Sequence, residues 1–323
     1  MIKPGIWKLA QYSACPPWLR RRLRVSYTLL RHAQAESRAA ELFENVIRDL
    51  QLSSGVCRTT YRGRFVGLDE KVNRYLGEIF PSSALLTVHD WAASDCLTAG
   101  EWAVALLARF PHLDFHASDQ MFYLIEIHTP SGETVVVEPD GTPLQHIRPP
   151  FVTSYLHRDA TMFLVNRWIR ERAERMAAWI RESVPSTVLR AVGEGGPLRL
   201  SNWTLESISL VHPEFRQLLH TETRTHLLQH SVFEPLATPA QVIRTMNIFN
   251  PDYFSEPVLE RGYRAVQASL AEGGVWIVGT TRTTDGFTDA SVFRKINGHF
   301  QFAWRAANGY PLESRVLALA QTP

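Results

Sequence analysis

Hydrophobic positions recur at helical spacing through the first eighty residues. In the stretch SRAAELFENVIRDLQL, the apolar positions of one helix face are Ala40, Phe43, Val46, Ile47 and Leu50. The stretch LDEKVNRYLGEIF repeats the same spacing. The pattern predicts an N-terminal helical cap over residues 1–80.

From residue 85 onward, short β-branched runs alternate with helical patterns, which is typical of a parallel sheet with crossover helices. The predicted strands are Leu85–His89, Asp114–Ser118, Leu227–Val232, Val242–Met246, Val275–Gly279 and Phe300–Trp304. Helices are predicted from about Thr98 to Phe110 and from about Ser255 to Ala271, the second with Ser255 as N-cap and Gly273-Gly274 as its stop.

A long interruption separates the second predicted strand from the third. The stretch YLIEIHTPSGETVVVEPDG alternates on both sides of a Pro-Ser-Gly turn and predicts a β-hairpin. The stretch RDATMFLVNRWIRERAERMAAWIRES predicts a helix with Asp159 near its start, and a strand is predicted at Glu206–Val211. We therefore predict an α/β domain over residues 81–323, with an inserted subdomain at about 121–225.

Composition narrows the class of protein. The 323 residues are 45% hydrophobic and 20% charged, as in an ordinary soluble globular protein. The net charge of +2 gives no strong nucleic-acid signal. No apolar run approaches the roughly 18–20 residues of a membrane span, so no membrane partner is predicted. The three cysteines have neither zinc-ligand nor disulfide-framework spacing, which favours a cytoplasmic location.

The stretch LLTVHDWAASDCLTAGEWAVALLARF predicts a ligand site where a strand meets a helix. Its small residues Ala92-Ala93-Ser94 allow backbone amides to approach a ligand closely. The stretch SDQ ends the next strand, where the carboxylate of Asp119 can accept hydrogen bonds from both hydroxyls of a ribose. Neither G-x-G-x-x-G nor a phosphate loop is present, so the turn suits a nucleoside without a pyrophosphate.

Six features in chain order resemble the class I S-adenosylmethionine-dependent methyltransferases. They are AASDCLTAGEWA, FHASDQ, the hairpin insertion, QHSVFEPL, IRTMNIF and LAEGGVWIVGTT. Within that class the layout is most similar to the chemotaxis-receptor glutamate methyltransferases, over about residues 85–305. The resemblance implies a Rossmann-like sheet of seven mostly parallel strands, S-adenosylmethionine as cofactor, and methyl transfer to an unidentified acceptor, a small molecule or a protein side chain.

The resemblance also implies which residues bind the cofactor. Glu101 would receive the methionyl ammonium, and Asp119 would hold the ribose hydroxyls. The full set, from the turn below the methionine to the border of the adenine, is Asp90, Ala92, Ala93, Ser94, Glu101, Asp119, Gln120, Val232, Phe233 and Asn247. For Asp90, capping of the helix or of the neighbouring loop is favoured over a cofactor contact. Glu101 is alternatively a first-turn acid that interacts with the helix dipole, and Asn247 alternatively satisfies loop backbone.

The sequence departs from that family in two ways. Ala and Ser replace the usual glycines of the first turn, which also fits a non-catalytic nucleoside-binding or scaffold protein. No stretch matches the substrate-binding basic helix of the receptor methyltransferases, so methylation of receptor glutamates is not carried over.

A second motif offers another function. NPDY, from Asn250 to Tyr253, resembles the Asn-Pro-Pro-Tyr motif with which amino-group methyltransferases grip a target amine. This makes Asn250 and Tyr253 catalytic candidates for an amino-group or nucleic-acid methyltransferase. Asn-Pro-Asp is also a common turn before a helix.

The twelve histidines form no H-E-x-x-H or other close ligand pair, so the sequence predicts no metal site. His230 lies on the predicted third strand, where it is either a core residue or a general base.

Overall fold

The computed structural model describes residues 5–20, 22–34, 39–55, 58, 60–156, 164–282 and 285–319. The chain divides into two compact units. The first comprises Met1–Thr60 with Met121–Pro213, and the second comprises Tyr61–Gln120 with Glu214–Pro323. These bounds differ from the predicted division, because residues 61–80 belong to the unit of the large sheet while the preceding residues form one unit with the insertion.

The elements follow one another along the chain. The strands are β1 (Gly5–Ile6), β2 (Arg24–Val25), β3 (Leu86–Trp91), β4 (Leu113–Asp119), β5 (Tyr123–His128), β6 (Thr134–Val137), β7 (Pro143–Arg148), β8 (Phe151–Ser154), β9 (Leu198–Leu200), β10 (Trp203–Ser209), β11 (Thr225–Gln229), β12 (Ala240–Met246), β13 (Leu270–Thr281), β14 (Thr288–Ile296) and β15 (His299–Ala306). The α-helices are α1 (Leu9–Ala14), α2 (Pro17–Arg20), α3 (Ala39–Ile47), α4 (Val66–Ile79), α5 (Leu97–Leu107), α6 (Leu164–Ser183), α7 (Ser186–Gly195), α8 (Pro213–Thr221), α9 (Glu256–Ser269) and α10 (Glu313–Ala318), and a 3-10 helix covers Tyr27–Gln34.

The second unit is built on a seven-stranded sheet in the order β11-β4-β3-β12-β13-β14-β15. The first five strands of this order are mutually parallel, whereas β14 runs antiparallel to β13 and β15 antiparallel to β14. The predicted α/β class with a mostly parallel seven-stranded sheet is therefore confirmed. The carboxyl ends of β3, β4, β11, β12 and β13 lie at one edge of the sheet, where parallel α/β sheets place their ligands.

Three local predictions need correction. The predicted third strand is displaced, because β11 pairs in register with β4 from Thr225 and ends opposite Asp119. Gly273 and Gly274 do not stop a helix, since α9 has already ended at Ser269. They lie inside β13, where the pairing with β12 shifts register and Gly273 has a φ of +77°. The strand β14 was not predicted.

Both faces of the large sheet are buried by helices over its centre. On one face, Leu259, Tyr263 and Val266 of α9 pack in a cluster with Trp276 and Phe293 of the sheet. On the other face, Trp102 of α5 packs edge-on against Phe115 of β4, with ring centroids 5.7 Å apart. Because successive side chains of a strand point to opposite faces, each strand contributes residues to the packing on both faces of the sheet.

The first unit contains a six-stranded antiparallel sheet in the order β8-β7-β6-β5-β10-β9. The predicted hairpin is β5–β6, and the predicted long helix is α6, whose predicted beginning, with Asp159, lies outside the described residues. Leu124 and Val136 face a cluster with α3 and the 3-10 helix, whereas Ile125 and Val135 face a cluster with α6 and α7. Within the described ranges, no helix is both long enough and apolar enough to cross a membrane.

Candidate functional site

The turn after β3 is tight although it contains no glycine. Ala92, Ser94 and Cys96 have φ angles of +57°, +58° and +65°, in the left-handed region that L-residues rarely adopt. The backbone amide of Ala93 donates to the carbonyl of Ser118 at 2.9 Å, which anchors the turn to the end of β4. Small side chains at the three left-handed positions limit the steric cost, but each position retains strain.

Replacing Ala92 with glycine is expected to raise the free energy of unfolding by about 0.5–1 kcal/mol, because glycine adopts the left-handed conformation without strain. Ala93 is the matched control, since its φ is not in this region and its methyl group is buried. Ala93→Gly should lower stability by about 1 kcal/mol. Urea unfolding of both variants tests this, and a loss of stability in both would contradict the strain at Ala92.

The ends of three neighbouring strands meet at this turn. The amide of Ser94 donates to a carboxylate oxygen (Oδ2) of Asp119 at 2.8 Å. The amide of His230 donates to the carbonyl of Asp119 at 3.0 Å, and the side-chain amide of Gln229 donates to the carbonyl of Gln120 at 3.0 Å. Asp119 is half-buried and Gln120 is exposed. The structure thus brings together four predicted site residues: Ser94, Asp119, Gln120 and His230.

His230 follows β11 rather than lying on it, and its ring packs on Trp91 with centroids 4.8 Å apart. Its Nε2 is buried and makes no hydrogen bond to any residue that the structure describes. Burial lowers the pKa of His230, with Glu234 acting in the opposite direction. The ring is therefore neutral at pH 7 and has a nitrogen that can act as a base.

The predicted adenine neighbours pack in the apolar layer beside α9. Val232 is buried and Phe233 is half-buried, and both belong to the cluster of Trp91 and Phe249. The ring of Phe233 stands edge-on to Phe254 at 5.1 Å. Val232 and Phe233 therefore place apolar surface shortly after the end of β11, the third strand of the large sheet in chain order.

Two side chains that are predicted to bind the cofactor accept hydrogen bonds from backbone amides of the protein. Both carboxylate oxygens of Glu101 accept from the amide of Gly63, at 2.9 and 3.1 Å. Asn247 has a φ of +61°, and its side-chain oxygen accepts from the amide of Thr281 at 2.6 Å. In the NPDY stretch, the side-chain oxygen of Asn250 accepts from the amide of Asp252 at 2.9 Å. That bond is the turn alternative predicted for this motif.

Asp90 occupies a buried ion-pair network that the sequence analysis did not predict. Its two oxygens accept from Nε and Nη2 of Arg244 at 2.9 and 2.6 Å. Arg244 is fully buried on β12 and also donates to Asp69 at 2.7 Å. Its guanidinium lies 4.1 Å from the centroid of the Trp102 ring. Asp90 therefore binds the core arginine, a role that differs from both the cofactor contact and the cap.

A cationic and aromatic group lies at the same sheet edge. Arg64 donates to the hydroxyl of Thr281, at the end of β13, at 3.2 Å, and its guanidinium lies 5.5 Å from the Tyr61 ring. Burial lowers the pKa of Arg64, while Tyr61, Tyr253 and Asp95 act to raise it. Tyr61 is 47% exposed and Tyr253 is 56% exposed. The sequence signal for this group is the stretch TTYRGRF, which resembles the N-terminal segment that reaches the cofactor in the chemotaxis-receptor methyltransferases.

Two cavities lie away from the turn after β3. One of about 380 Å³ is lined by residues of α9 and α10 such as Leu259 and Arg315. The other, of about 400 Å³, lies in the first unit and is lined by Arg172, Trp179 and Trp203 among others. Neither is lined by the turn after β3 or by Asp119, so the candidate site is defined by its chemistry at the strand ends.

No protein-family model and no curated protein matches the chain. Among solved structures, it is similar to the sugar N-methyltransferase KedS8 from Streptoalloteichus sp., with 14% identity, 80% of each chain covered and a TM-score of 0.34. It is also similar to the N-methyltransferase NodS from Bradyrhizobium japonicum, solved with S-adenosyl-l-homocysteine, with 10% identity, 80% of this chain and 75% of that chain covered, and a TM-score of 0.32.

A third similar structure is the mitomycin 7-O-methyltransferase MmcR, with 12% identity and a TM-score of 0.32. It covers 80% of this chain, which spans only 44% of that one. All three neighbours are methyltransferases by name, but identities of 10 to 14% with TM-scores of 0.32 to 0.34 neither place this chain in a family nor transfer an activity to it.

Proposed function

We propose that this protein transfers a methyl group from S-adenosylmethionine to an acceptor that is still to be identified. The observation that carries the proposal is the junction at the ends of β3 and β4, where the Ser94 amide meets the Asp119 carboxylate at 2.8 Å. In an open parallel sheet this edge is where nucleoside ligands bind. The resemblance to the methyltransferases implies the same two residues, one in the turn and one at the ribose.

The residues present fit the donor and acceptor groups of that cofactor. A ribose offers two hydroxyl donors, and Asp119 offers a half-buried carboxylate at the end of a strand. The turn of Ala92, Ala93 and Ser94 has no side chain larger than a hydroxymethyl group, so its side chains leave room for a ligand close to the backbone. When bound, the cofactor supplies a methyl group on a positively charged sulfur, which makes the methyl electrophilic.

The protein's own contribution to transfer is orientation, since displacement at a methyl group depends on in-line alignment of the acceptor atom. Arg64, Tyr61 and Tyr253 offer a cation and two exposed aromatic rings at the same sheet edge for an acceptor. His230 offers a neutral ring nitrogen for a proton that the acceptor releases. These four residues are our candidates for acceptor binding and proton removal.

Of the features shared with the chemotaxis-receptor methyltransferases, only the insertion supports the proposal. A β-rich segment, β5 to β10, lies between the second and third strands of the large sheet, as in that type of enzyme. The missing basic helix counts against a receptor substrate, so we propose no glutamate methylation. We also do not propose the amine-gripping role of NPDY, because the Asn250 side chain is bound within its own turn.

Calorimetry on the purified chain tests the cofactor. We expect one molecule of S-adenosylhomocysteine, and one of S-adenosylmethionine, to bind per chain. ATP and NAD are matched controls, because they carry the same ribose and adenine with phosphate groups that the turn does not suit. The absence of binding to either sulfur nucleoside would refute the proposal, and so would equally tight binding of ATP.

One observation favours a second candidate function, nucleoside binding without catalysis. Glu101 and Asn247, predicted to contact the cofactor, are hydrogen-bonded to backbone amides of the protein. A protein that senses or stores the nucleoside needs no acceptor site. Incubation with S-adenosylmethionine carrying a labelled methyl group and a cell extract separates the two functions. Label transferred to any extract component supports the enzyme, whereas binding with no transfer supports the sensor.

A further inference from the structure

Three histidines form one row across adjacent strands of the large sheet. His89 of β3 pairs in register with His116 of β4, which pairs with His226 of β11. Their rings are stacked, with centroids 4.5 Å apart for the first pair and 4.8 Å for the second. In the same register, the next two residues on this face are Ile243 of β12 and Trp276 of β13. The row is therefore polar on β11, β4 and β3 and apolar on β12 and β13.

A single carboxylate joins two neighbouring rings of this row, those of His116 and His226. Asp114 lies two residues before His116 on β4 and therefore on the same face of the sheet. Its Oδ2 is 3.0 Å from Nε2 of His116, and its Oδ1 is 3.0 Å from Nε2 of His226. The three ligand atoms all lie within 4.8 Å of one another. Two imidazole nitrogens and one carboxylate thus converge on one small volume.

The cluster is accessible from solvent because of the local topology. The connection from β11 to β12, residues 230–239, contains no helix, whereas α9 follows β12 and covers the apolar half of the face. The side chains of His116, His226 and Asp114 are 23%, 44% and 49% exposed. A hydrated ion can therefore reach the ligand atoms without any rearrangement of the core.

We infer that Asp114, His116 and His226 bind a divalent first-row transition-metal ion on the face of the sheet. Two nitrogens and one carboxylate oxygen are a ligand set for zinc, and they leave a coordination position for water or another ligand. A neutral histidine can carry its proton on Nδ1, which leaves Nε2 free to bind the ion. The 3.0 Å separations of the two nitrogen–oxygen pairs are compatible with ligand bonds of about 2.0–2.2 Å to a shared ion.

His89 supports this site as a positioning residue. Its ring lies parallel to that of His116, at an interplanar angle of 6°, and so restricts the orientation of this ligand.

The inference is independent of the methyl-transfer proposal, because its residues lie on a sheet face and not at the strand ends. The test is calorimetry with ZnCl₂ on the full chain, purified without a histidine tag and treated with a chelator. Co²⁺, whose visible absorption reports its coordination, serves as a second probe. We expect one equivalent of Zn²⁺ per chain, and a Co²⁺ spectrum typical of low-coordinate nitrogen and oxygen ligation.

The variants His226→Ala and Asp114→Asn should each weaken Zn²⁺ binding by at least about tenfold, since the first removes a ligand and the second removes the negative charge of another. Both residues are partly exposed, so the variants should stay folded, which a thermal melt verifies. His220→Ala, at an exposed histidine of α8, is the matched control and should bind Zn²⁺ like the wild type. Failure of the wild type to bind Zn²⁺, or unchanged binding in His226→Ala, would overturn the inference.

Discussion

Arg244→Leu is expected to lower the free energy of unfolding by about 3–5 kcal/mol, the cost of leaving buried charges without a partner. Arg244 is fully buried and is bound by Asp90 through two hydrogen bonds and by Asp69 through one. Burial raises the pKa of Asp69 to about 6, although Arg244 acts against that rise. At pH 7 the Asp69 carboxylate is therefore charged, and leucine offers no hydrogen bond to Asp69 or to Asp90.

The origin of this loss can be separated from simple loss of packing. In the triple variant Asp69→Asn, Asp90→Asn, Arg244→Leu, the uncompensated carboxylates become neutral amides, so most of the lost stability should return. Arg264→Leu is the matched control, because Arg264 pairs with Glu260 on the exposed surface of α9. Its effect should stay within about 0.5 kcal/mol. Urea unfolding measures all three variants, and a triple variant no more stable than Arg244→Leu would contradict the charge explanation.

Arg244 also shows how far the sequence alone can predict a buried ion pair. A charged residue inside the apolar run AQVIRTM is a clear signal of a buried ion pair, because an unpaired charge there would be too costly. The sequence does not say which acids are the partners. Asp90 and Asp69 lie 154 and 175 residues away, and only the pairing of β12 with β3 brings Asp90 to the guanidinium. The sequence therefore does not predict that Asp90 binds a buried arginine, because that contact depends on strand pairing.

The same distinction applies to the rest of the fold and the site. Local patterns predicted the turn after β3, the acid at the end of β4 and the alternation of strands with helices, because each depends on neighbouring residues. The row of histidines depends on the register between three strands that are far apart in sequence. Arg64 lies in a loop whose contact with Thr281 spans 217 positions. Such contacts have no local signature, so the sequence alone does not predict them.

Gly273 and Gly274 illustrate a further limit. A pair of glycines after an amphipathic run normally ends a helix. Here the helix ends four residues earlier, because Leu270 already pairs with Ala240 of β12. A side chain at Gly274 would come within 2.9 Å of the carbonyl oxygen of Gln241, so the glycine permits a close approach of two strands. The glycine pair in the sequence indicates an unusual backbone at this position. Only the pairing of β12 with β13 shows that the cause is a close approach of two strands.

Asp119→Asn is expected to weaken the binding of S-adenosylhomocysteine by about 10- to 100-fold, the loss of one hydrogen bond to a charged acceptor. The amide retains one oxygen, which can still accept from the Ser94 amide and hold the turn in place. It cannot accept from a second ribose hydroxyl, because its other group is a donor. Asp119→Ala removes both acceptors, and we expect it to abolish measurable binding.

Asp114→Asn is the matched control on the same strand. Asp114 and Asp119 are five positions apart on β4, so their side chains lie on opposite faces of the sheet. Asp114→Asn should bind the nucleoside like the wild type and lose zinc, whereas Asp119→Asn should lose nucleoside affinity and keep zinc. Calorimetry of both variants with both ligands tests the two sites together. Unchanged nucleoside affinity in Asp119→Asn and Asp119→Ala would show that the carboxylate at the end of β4 does not bind the ribose, because no other predicted contact supplies two acceptors at this strand end.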